Sequence, residues 1–137
     1  MKREIIFRGK TLTDKWVEGA YYKQEFFYGD KEDADVIITS KETLDNDFAL
    51  ESHIVLPETV GQYTGLTDKN GTKIFEGDIV KENGDAEDTL YEIRWVDACF
   101  EQRDITLLFG YLLERGSDLE IIGNIHDNPK LLGAKNF

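Results

Sequence analysis

The side chains of this sequence that could do chemistry are two histidines, one cysteine, one serine beside an aspartate, and 28 carboxylates, among which the sequence identifies no catalytic pair. His53 and His126 have no further histidine or cysteine at the spacing that a zinc site requires. Cys99 is the single cysteine, so it cannot form an internal disulfide, and its apolar neighbours at residues 96–100 indicate inert core. Ser117 lacks the strand, turn and helix that expose a nucleophilic serine. We therefore predict no catalytic residue, no metal ligand and no enzymatic activity.

Residues 68–71, Asp-Lys-Asn-Gly, resemble part of a calcium-binding loop. If Gly71 held the sixth position of such a loop, Leu66 would be first and Gly77 twelfth, where carboxylates are required. The calcium interpretation therefore fails, and Asn-Gly instead predicts a tight hairpin turn with positive φ values. The glycines form neither the P-loop pattern nor Gly-x-Gly-x-x-Gly, so we predict no bound cofactor.

The formal charge is −12, from 28 acidic and 16 basic residues, and it is unevenly distributed. Residues 30–51 and 82–92 are strongly acidic, which predicts no non-specific binding to nucleic acid. The acidic residues indicate either a solvated surface or a face directed at a basic partner. The first 28 residues carry a small basic excess, and a basic groove could come only from Lys2, Arg3, Arg8, Lys10 and Lys15.

Alternating apolar and polar residues predict a mainly β fold of small antiparallel domains. A soft boundary lies near residue 60. Two segments stay ambiguous: residues 41–50 fit a loop or a helical turn, and residues 105–113 fit a strand or a helix, with a strand up to Phe109 favoured. Residues 62–81 are predicted to form two successive tight turns joining three antiparallel strands, and Asn128-Pro129 a final short helical turn. The predicted strands are 4–8, 16–22, 25–28, 36–39, 52–56, 62–66, 72–75, 79–81, 90–95 and 119–125.

Aromatic residues are frequent in the second half of the chain. Most of them should fill the interior of a small β domain, and one or two could instead form a platform for a peptide or a base. The residues concerned are Tyr63, Phe75, Tyr91, Trp95 and Phe100.

The length and composition suit one globular domain or two small ones. With 137 residues and 40% apolar residues, the chain can bury a core without disulfides. No apolar run approaches the roughly 20 residues of a membrane helix, and the first residues lead into an alternating segment rather than a secretory signal. We expect a cytoplasmic protein that does not interact with membranes.

Three blocks of the chain have distinctive sequences: QYTGLTDKNGTKIFEGDIVK at residues 62–81, EIRW at 92–95 and SDLEIIGNIHDNP at 117–129. Together they resemble the YopX family of proteins encoded by phages and prophages of Gram-positive bacteria. The resemblance implies an SH3-type barrel over residues 61–137 and an N-terminal β-rich portion over residues 1–60. It supplies no catalytic residue and no reaction, because the family is functionally uncharacterised.

The function expected from these observations is that of a phage-derived accessory protein that binds another macromolecule without catalysis. The partner is expected to be a protein, and a homo-oligomer could form through a β edge or an exposed aromatic patch. Two alternatives stay open: an acidic DNA mimic that inhibits a basic host protein, and a nucleic-acid-binding barrel.

Overall fold

A computed structural model describes residues 4–25, 33–82, 89–106 and 109–133. The chain divides into two compact units, Met1–Gln62 and Tyr63–Phe137. Both are built from antiparallel strands, which confirms the mainly β prediction. The helices among the described residues are too short to cross a membrane.

The first unit is an antiparallel meander. Its strands are β1 (Phe7–Lys10), β2 (Trp16–Gln24), β3 (Ala34–Glu42) and β4 (Phe48–Val55), and each pairs with the next. A 3-10 turn at Pro57–Thr59 leads into β5 (Gly61–Thr67), whose first residues pair with β1. The order of strands is therefore β4-β3-β2-β1-β5, with β4 at the edge.

The core of the first unit is small. Val36, Ile37 and Val55 are buried, and the side chain of Val55 packs against the backbone of Gly9. Thr59 is also buried: its hydroxyl donates to the carbonyl of Leu56 at 2.6 Å and accepts from the Lys10 amide at 2.8 Å. The Thr59 hydroxyl thus links the residue after β4 to the last residue of β1 through hydrogen bonds.

The hairpin of β3 and β4 is longer than the sequence predicted. Residues 41–50 do not form a long loop, because both strands extend toward a turn where the Thr43 amide donates to the Asp47 carbonyl at 2.7 Å and Asn46 has a φ of 59°. The alternation fades there because both faces of the hairpin tip are exposed. The sequence also predicted a strand at residues 25–28, of which residues 26–28 lie outside the described residues.

The second unit contains a hairpin and a five-stranded sheet. The hairpin joins the rest of β5 to β6 (Lys73–Phe75). The sheet has the order β10-β9-β8-β7-β11, and a short helix, α1 (Lys130–Gly133), confirms the predicted final turn. The strands of this sheet are β7 (Asp78–Glu82), β8 (Thr89–Val96), β9 (Cys99–Asp104), β10 (Gly110–Leu112) and β11 (Leu119–Asn124).

The SH3-type barrel is not confirmed for this unit. Among the described residues, the two outer strands β10 and β11 pair with β9 and β7 but not with each other, so the sheet is open. The hairpin nevertheless contributes to the core, since Ile74 and Leu66 pack with apolar residues of the sheet. The buried core consists of Ile74, Val80, Tyr91, Ile93, Leu113 and Leu119.

Residues 62–81 form three strands joined by two turns, as predicted, but the second turn connects two sheets. In the first turn Gly71 has a φ of 81°, whereas Asn70 does not have the positive φ expected of it. At the second turn Gly77 has a φ of 95°, and the Phe75 amide donates to the buried Asp78 carboxylate at 2.8 Å. In the described part of the chain β6 and β7 are therefore not a paired ladder.

The predicted strand up to Phe109 is wrong. Strand β9 ends at Asp104, whose carboxylate accepts from the Thr106 amide at 2.8 Å and so starts a turn. Residues 107–108 lie outside the described residues, and the next strand is β10. An apolar composition without clear periodicity concealed this turn.

Candidate functional site

A groove opens to solvent at one end of the five-stranded sheet, with a volume of about 150 Å³. Tyr111 and Leu112 of β10 are 53% and 59% exposed there, so two neighbouring large apolar side chains reach solvent. We call this site the tyrosine groove. Its lining residues are Glu82, Gln102, Tyr111, Leu112, Glu114, Arg115, Asp118 and Leu119.

Strand β10 is short, but backbone hydrogen bonds join both of its ends to β9. The Asp104 amide donates to the Phe109 carbonyl at 2.7 Å, and the Leu113 amide donates to the Phe100 carbonyl at 3.0 Å. Tyr111 lies directly opposite Gln102 of β9 in this register. Because paired residues share a face of the sheet, both side chains line the groove.

A second tyrosine, Tyr91 of β8, packs against Tyr111. The ring of buried Tyr91 meets the ring of Tyr111 edge to face, with centroids 6.3 Å apart and an angle of 78°. Burial raises the pKa of Tyr91, and the charges of Glu82 and Asp104 and a hydrogen bond to Glu82 raise it further. The Tyr91 phenol therefore stays protonated at neutral pH.

The polar residues of the tyrosine groove carry an excess of negative charge. Glu82, Glu114 and Asp118 line it together with a single cation, Arg115. The Arg115 Nε lies 3.7 Å from the Asp118 carboxylate, and both side chains are mostly exposed, so the pair is weak. Aromatic rings beside carboxylates form a suitable environment for a cationic side chain.

The comparisons with known proteins match nearly the whole chain to one family. The family model described as YopX protein matches residues 6–133. The chain belongs to the YopX protein family. A solved structure, protein EF1440 from Enterococcus faecalis, is similar to this YopX-family chain with 25% identity and a TM-score of 0.56. The similarity covers 96% of this chain and 99% of that one. No curated protein matches the chain.

The two histidines of this YopX-family chain occupy a strand and a turn. His53 lies on β4, where its Nε2 is 3.1 Å from the Thr39 hydroxyl and 3.7 Å from the Glu51 carboxylate. His126 follows β11, and its amide donates to the Asn124 side chain at 3.0 Å. No group of three or more potential metal ligands occurs in the part of the chain that the structure describes.

Neither Cys99 nor Ser117 is among the residues that line the tyrosine groove. Cys99 is half-buried rather than core, contrary to the prediction, and its Sγ lies 3.2 Å from the Val96 carbonyl. Ser117 lies in the turn before β11. Neither residue has a described contact that indicates nucleophilic chemistry.

Most of the aromatic residues noted in the sequence are core, as predicted. Tyr63, Phe75 and Tyr91 are buried, whereas Trp95 is about half exposed. Trp95 packs edge to face on Phe100, with ring centroids 4.8 Å apart. This pair forms a second, smaller aromatic surface on the five-stranded sheet.

The structure describes three of the five predicted basic residues, Arg8, Lys10 and Lys15. Lys2 and Arg3 lie outside the described residues. The Arg8 guanidinium lies 4.8 Å from the centre of the Trp16 ring, and the Lys10 ammonium lies 3.7 Å from Asp14. These cations have local partners within the first unit.

Sequence reasoning missed most of the tyrosine groove. It identified Tyr91 as a core candidate but did not single out Gln102, Tyr111, Glu114 or Asp118. A weak signal was present, because Glu114 and Asp118 are acidic residues just after an aromatic strand. Glu82 lies at the end of β7 and comes close to these residues only because of the order of strands in the sheet, which no local sequence pattern reveals.

We predict that calcium and zinc leave the stability of the protein unchanged. An ion present at about 100 times its dissociation constant would stabilise the fold by about 2.7 kcal/mol. Thermal unfolding in the presence of each ion should therefore coincide with unfolding in the presence of a chelator. A reproducible rise of several degrees in Tm with either ion would contradict this prediction.

Proposed function

We propose that this YopX-family chain is a non-catalytic, phage-derived accessory protein that binds a segment of another protein in the tyrosine groove. The observation that supports this proposal is the exposed pair Tyr111 and Leu112 beside an excess of carboxylates. Exposed aromatic side chains next to polar groups are frequent at protein-binding surfaces.

The favoured partner is an extended segment that carries lysine or arginine. A cationic side chain can lie over the Tyr111 ring and approach Glu114 or Asp118. The edge of β10 supports the binding of an extended chain. The backbone groups of Phe109 and Leu113 bond to β9, so in the alternating pattern of an antiparallel ladder those of Gly110 and Leu112 face away from β9. An added strand could bond to these two residues.

The test is peptide binding, measured by fluorescence anisotropy against a library of labelled extended peptides that vary in lysine and arginine content. We expect the tightest peptides to be basic, and Tyr111→Ala to weaken their binding about tenfold, or 1.4 kcal/mol, by removing an aromatic contact. Tyr22→Ala is the matched control, because Tyr22 is an exposed tyrosine of the first unit. Equal binding of neutral peptides, or an unchanged Kd for Tyr111→Ala, would reject the proposal.

The same experiment separates the groove from the DNA-mimic alternative. A mimic binds its basic partner through the charge of the whole surface, so its affinity falls steeply with salt and depends little on one tyrosine. Binding that is lost with salt but unaffected by Tyr111→Ala would favour the mimic. Binding that is lost with Tyr111→Ala at fixed salt favours the tyrosine groove.

We further predict that the protein does not bind duplex or single-stranded nucleic acid non-specifically. Such binding depends on cations that displace counterions from phosphates, and the net charge here is −12. Anisotropy titrations with mixed-sequence oligonucleotides at about 150 mM salt, where the Debye length is about 8 Å, should show no saturation. Micromolar binding that weakens with salt would favour the nucleic-acid alternative and direct attention to Arg3, Arg8 and Lys10.

A further inference from the structure

Among the residues that the structure describes, strand β4 has no partner along the first half of one of its two edges. It pairs with β3 and stands at the end of the sheet. The Thr43 amide bonds to the Asp47 carbonyl at 2.7 Å, and hydrogen-bonded rungs of an antiparallel ladder recur at every second residue. The backbone groups of residues 49, 51 and 53 therefore face β3, and those of Phe48, Leu50 and Ser52 face away from it.

The opposite end of the same edge is already occupied. Val55 forms an isolated bridge with Thr11, and the Leu56 amide donates to the Lys10 carbonyl at 2.8 Å. Leu56 is six residues after Leu50, so its backbone groups should face the same edge, away from β3, and the bond to Lys10 agrees with this. The open part of the edge is thus limited to residues 48–52.

Large apolar side chains stand on this open part. Phe48 is 71% exposed and Leu50 is 73% exposed, and both project from the same face of the sheet. Soluble proteins usually protect an edge of this kind with charged side chains, most often lysine, or with a proline or a bulge. Residues 48–52 contain no lysine, proline or bulge, and their one charged residue is Glu51.

We propose that the open edge of β4 pairs antiparallel with β4 of a second copy of this chain, with Leu50 opposite Leu50. The two copies are related by a two-fold axis perpendicular to the sheet, so each contributes the same residues. Leu50 pairs with its counterpart, and Phe48 of each copy pairs with Ser52 of the other. These three rungs use the outward-facing backbone groups and keep Phe48 and Leu50 on one shared face.

Charge selects this register over its neighbours. With Leu50 opposite Leu50, Ala49 faces Glu51 of the second copy, and Asp47 faces His53. A shift of two residues in one direction places Glu51 opposite Glu51, and a shift in the other places Asp47 opposite Glu51. Like charges directly opposite each other destabilise a ladder, so both shifted registers are disfavoured.

The occupied end of the edge selects the same register. Because Lys10 and Thr11 lie beside residues 55 and 56, a second strand can follow β4 only as far as residue 52. In the proposed register the strand of the second copy starts at its Phe48 opposite Ser52, and its preceding turn leaves the sheet there. Shifting the strands toward a longer overlap would place Phe48 opposite Ile54, next to β1.

Disulfide cross-linking of the full-length chain tests the register, with Cys99→Ser included in every variant. Opposite residues of a hydrogen-bonded rung have Cα atoms about 5.5 Å apart, which a disulfide can span. Leu50→Cys should therefore form a covalent dimer by itself under mild oxidation. Phe48→Cys and Ser52→Cys should each fail alone, because each is offset from its counterpart by four residues, about 13 Å, but an equimolar mixture should cross-link.

Sedimentation velocity over a range of concentrations tests the association itself. The Cys99→Ser chain should show a concentration-dependent dimer, and Leu50→Pro should remain monomeric, because its lost amide faces away from β3 and the fold is retained. Leu50→Lys, which places two cations opposite each other, provides a second disrupting variant, and Leu44→Lys in the exposed turn is its matched control.

A Cys99→Ser chain that stays monomeric at every concentration would overturn the proposal, and so would cross-linking of Phe48→Cys or Ser52→Cys alone. Dimerisation that survives both Leu50→Pro and Leu50→Lys would also overturn it. Peptide binding at the tyrosine groove should be unchanged in Leu50→Lys, so failure of either proposal is recognisable independently of the other.

Discussion

Replacing Asp68 with alanine is expected to lower the free energy of unfolding by about 2–4 kcal/mol. The buried carboxylate accepts the amides of Asn70 and Thr72 on Oδ1, at 2.9 and 3.0 Å, and the amide of Ile121 on Oδ2, at 3.0 Å. Alanine leaves three backbone donors without an acceptor in a partly buried site. Urea unfolding at neutral pH measures the loss.

The control for this variant is Asp118→Ala, which removes an exposed carboxylate from the same unit. Its partner Arg115 is also exposed, so we expect a change of about 0.5 kcal/mol or less. Equal effects of the two substitutions would show that the three hydrogen bonds of Asp68 contribute little.

The effect of Asp68→Ala should also depend on pH. Burial alone would raise the pKa of Asp68, but the amides of Ile121, Thr72 and Asn70 and the charge of Lys69 outweigh burial and lower it below the ordinary 3.8. A carboxyl with a lowered pKa stabilises the fold above its ordinary pKa, and this contribution is lost as the pH falls through the lowered value. The difference in stability between the native chain and the variant should therefore shrink below about pH 3.8. A difference that does not change on acidification would contradict this account.

Replacing Gly19 with alanine is expected to destabilise the first unit by about 2–4 kcal/mol. A Cβ atom at this position would overlap the carbonyl oxygen of Ile38, which belongs to the backbone of the neighbouring strand. Backbone cannot rotate out of the way as the end of a side chain can, so β2 and β3 must separate. Urea unfolding followed by tryptophan fluorescence reports the change, because Trp16 is at the start of β2.

Gly133→Ala is the matched control for this substitution. A Cβ atom at Gly133 meets no atom within 4 Å, so the added methyl group should leave stability nearly unchanged. If Gly19→Ala were as stable as the control, β2 and β3 would have to tolerate a greater separation than the register indicates.

Sequence patterns predicted the strands whose two faces differ. Alternation located β8, where Tyr91 and Ile93 are buried between half-buried polar residues, and glycine located the turns at Gly71 and Gly77. The tip of the β3–β4 hairpin was missed because both of its faces are exposed, and without a buried face no alternation is required.

The candidate site was far less predictable than the strands. The tyrosine groove brings together Glu82, Gln102 and Tyr111, which lie on three different strands. Their proximity follows from the order of strands in the sheet, which is a long-range property. The open form of that sheet was unpredictable for the same reason, since turn spacing does not reveal whether outer strands pair.

The bond between Asp68 and Ile121 joins residues that are 53 positions apart in the chain. During synthesis on the ribosome, the hairpin around Gly71 emerges long before Ile121. The hydrogen bond from the Ile121 amide to Asp68 can therefore form only late in synthesis. Strand β11 likewise reaches its neighbour β7 only when nearly all of the second unit has been made. The first unit has no such delay, because the pairings among its described residues involve nothing beyond Gln62. The nascent chain should therefore acquire its structure in two stages, with the second unit folding only after release of β11 from the exit tunnel.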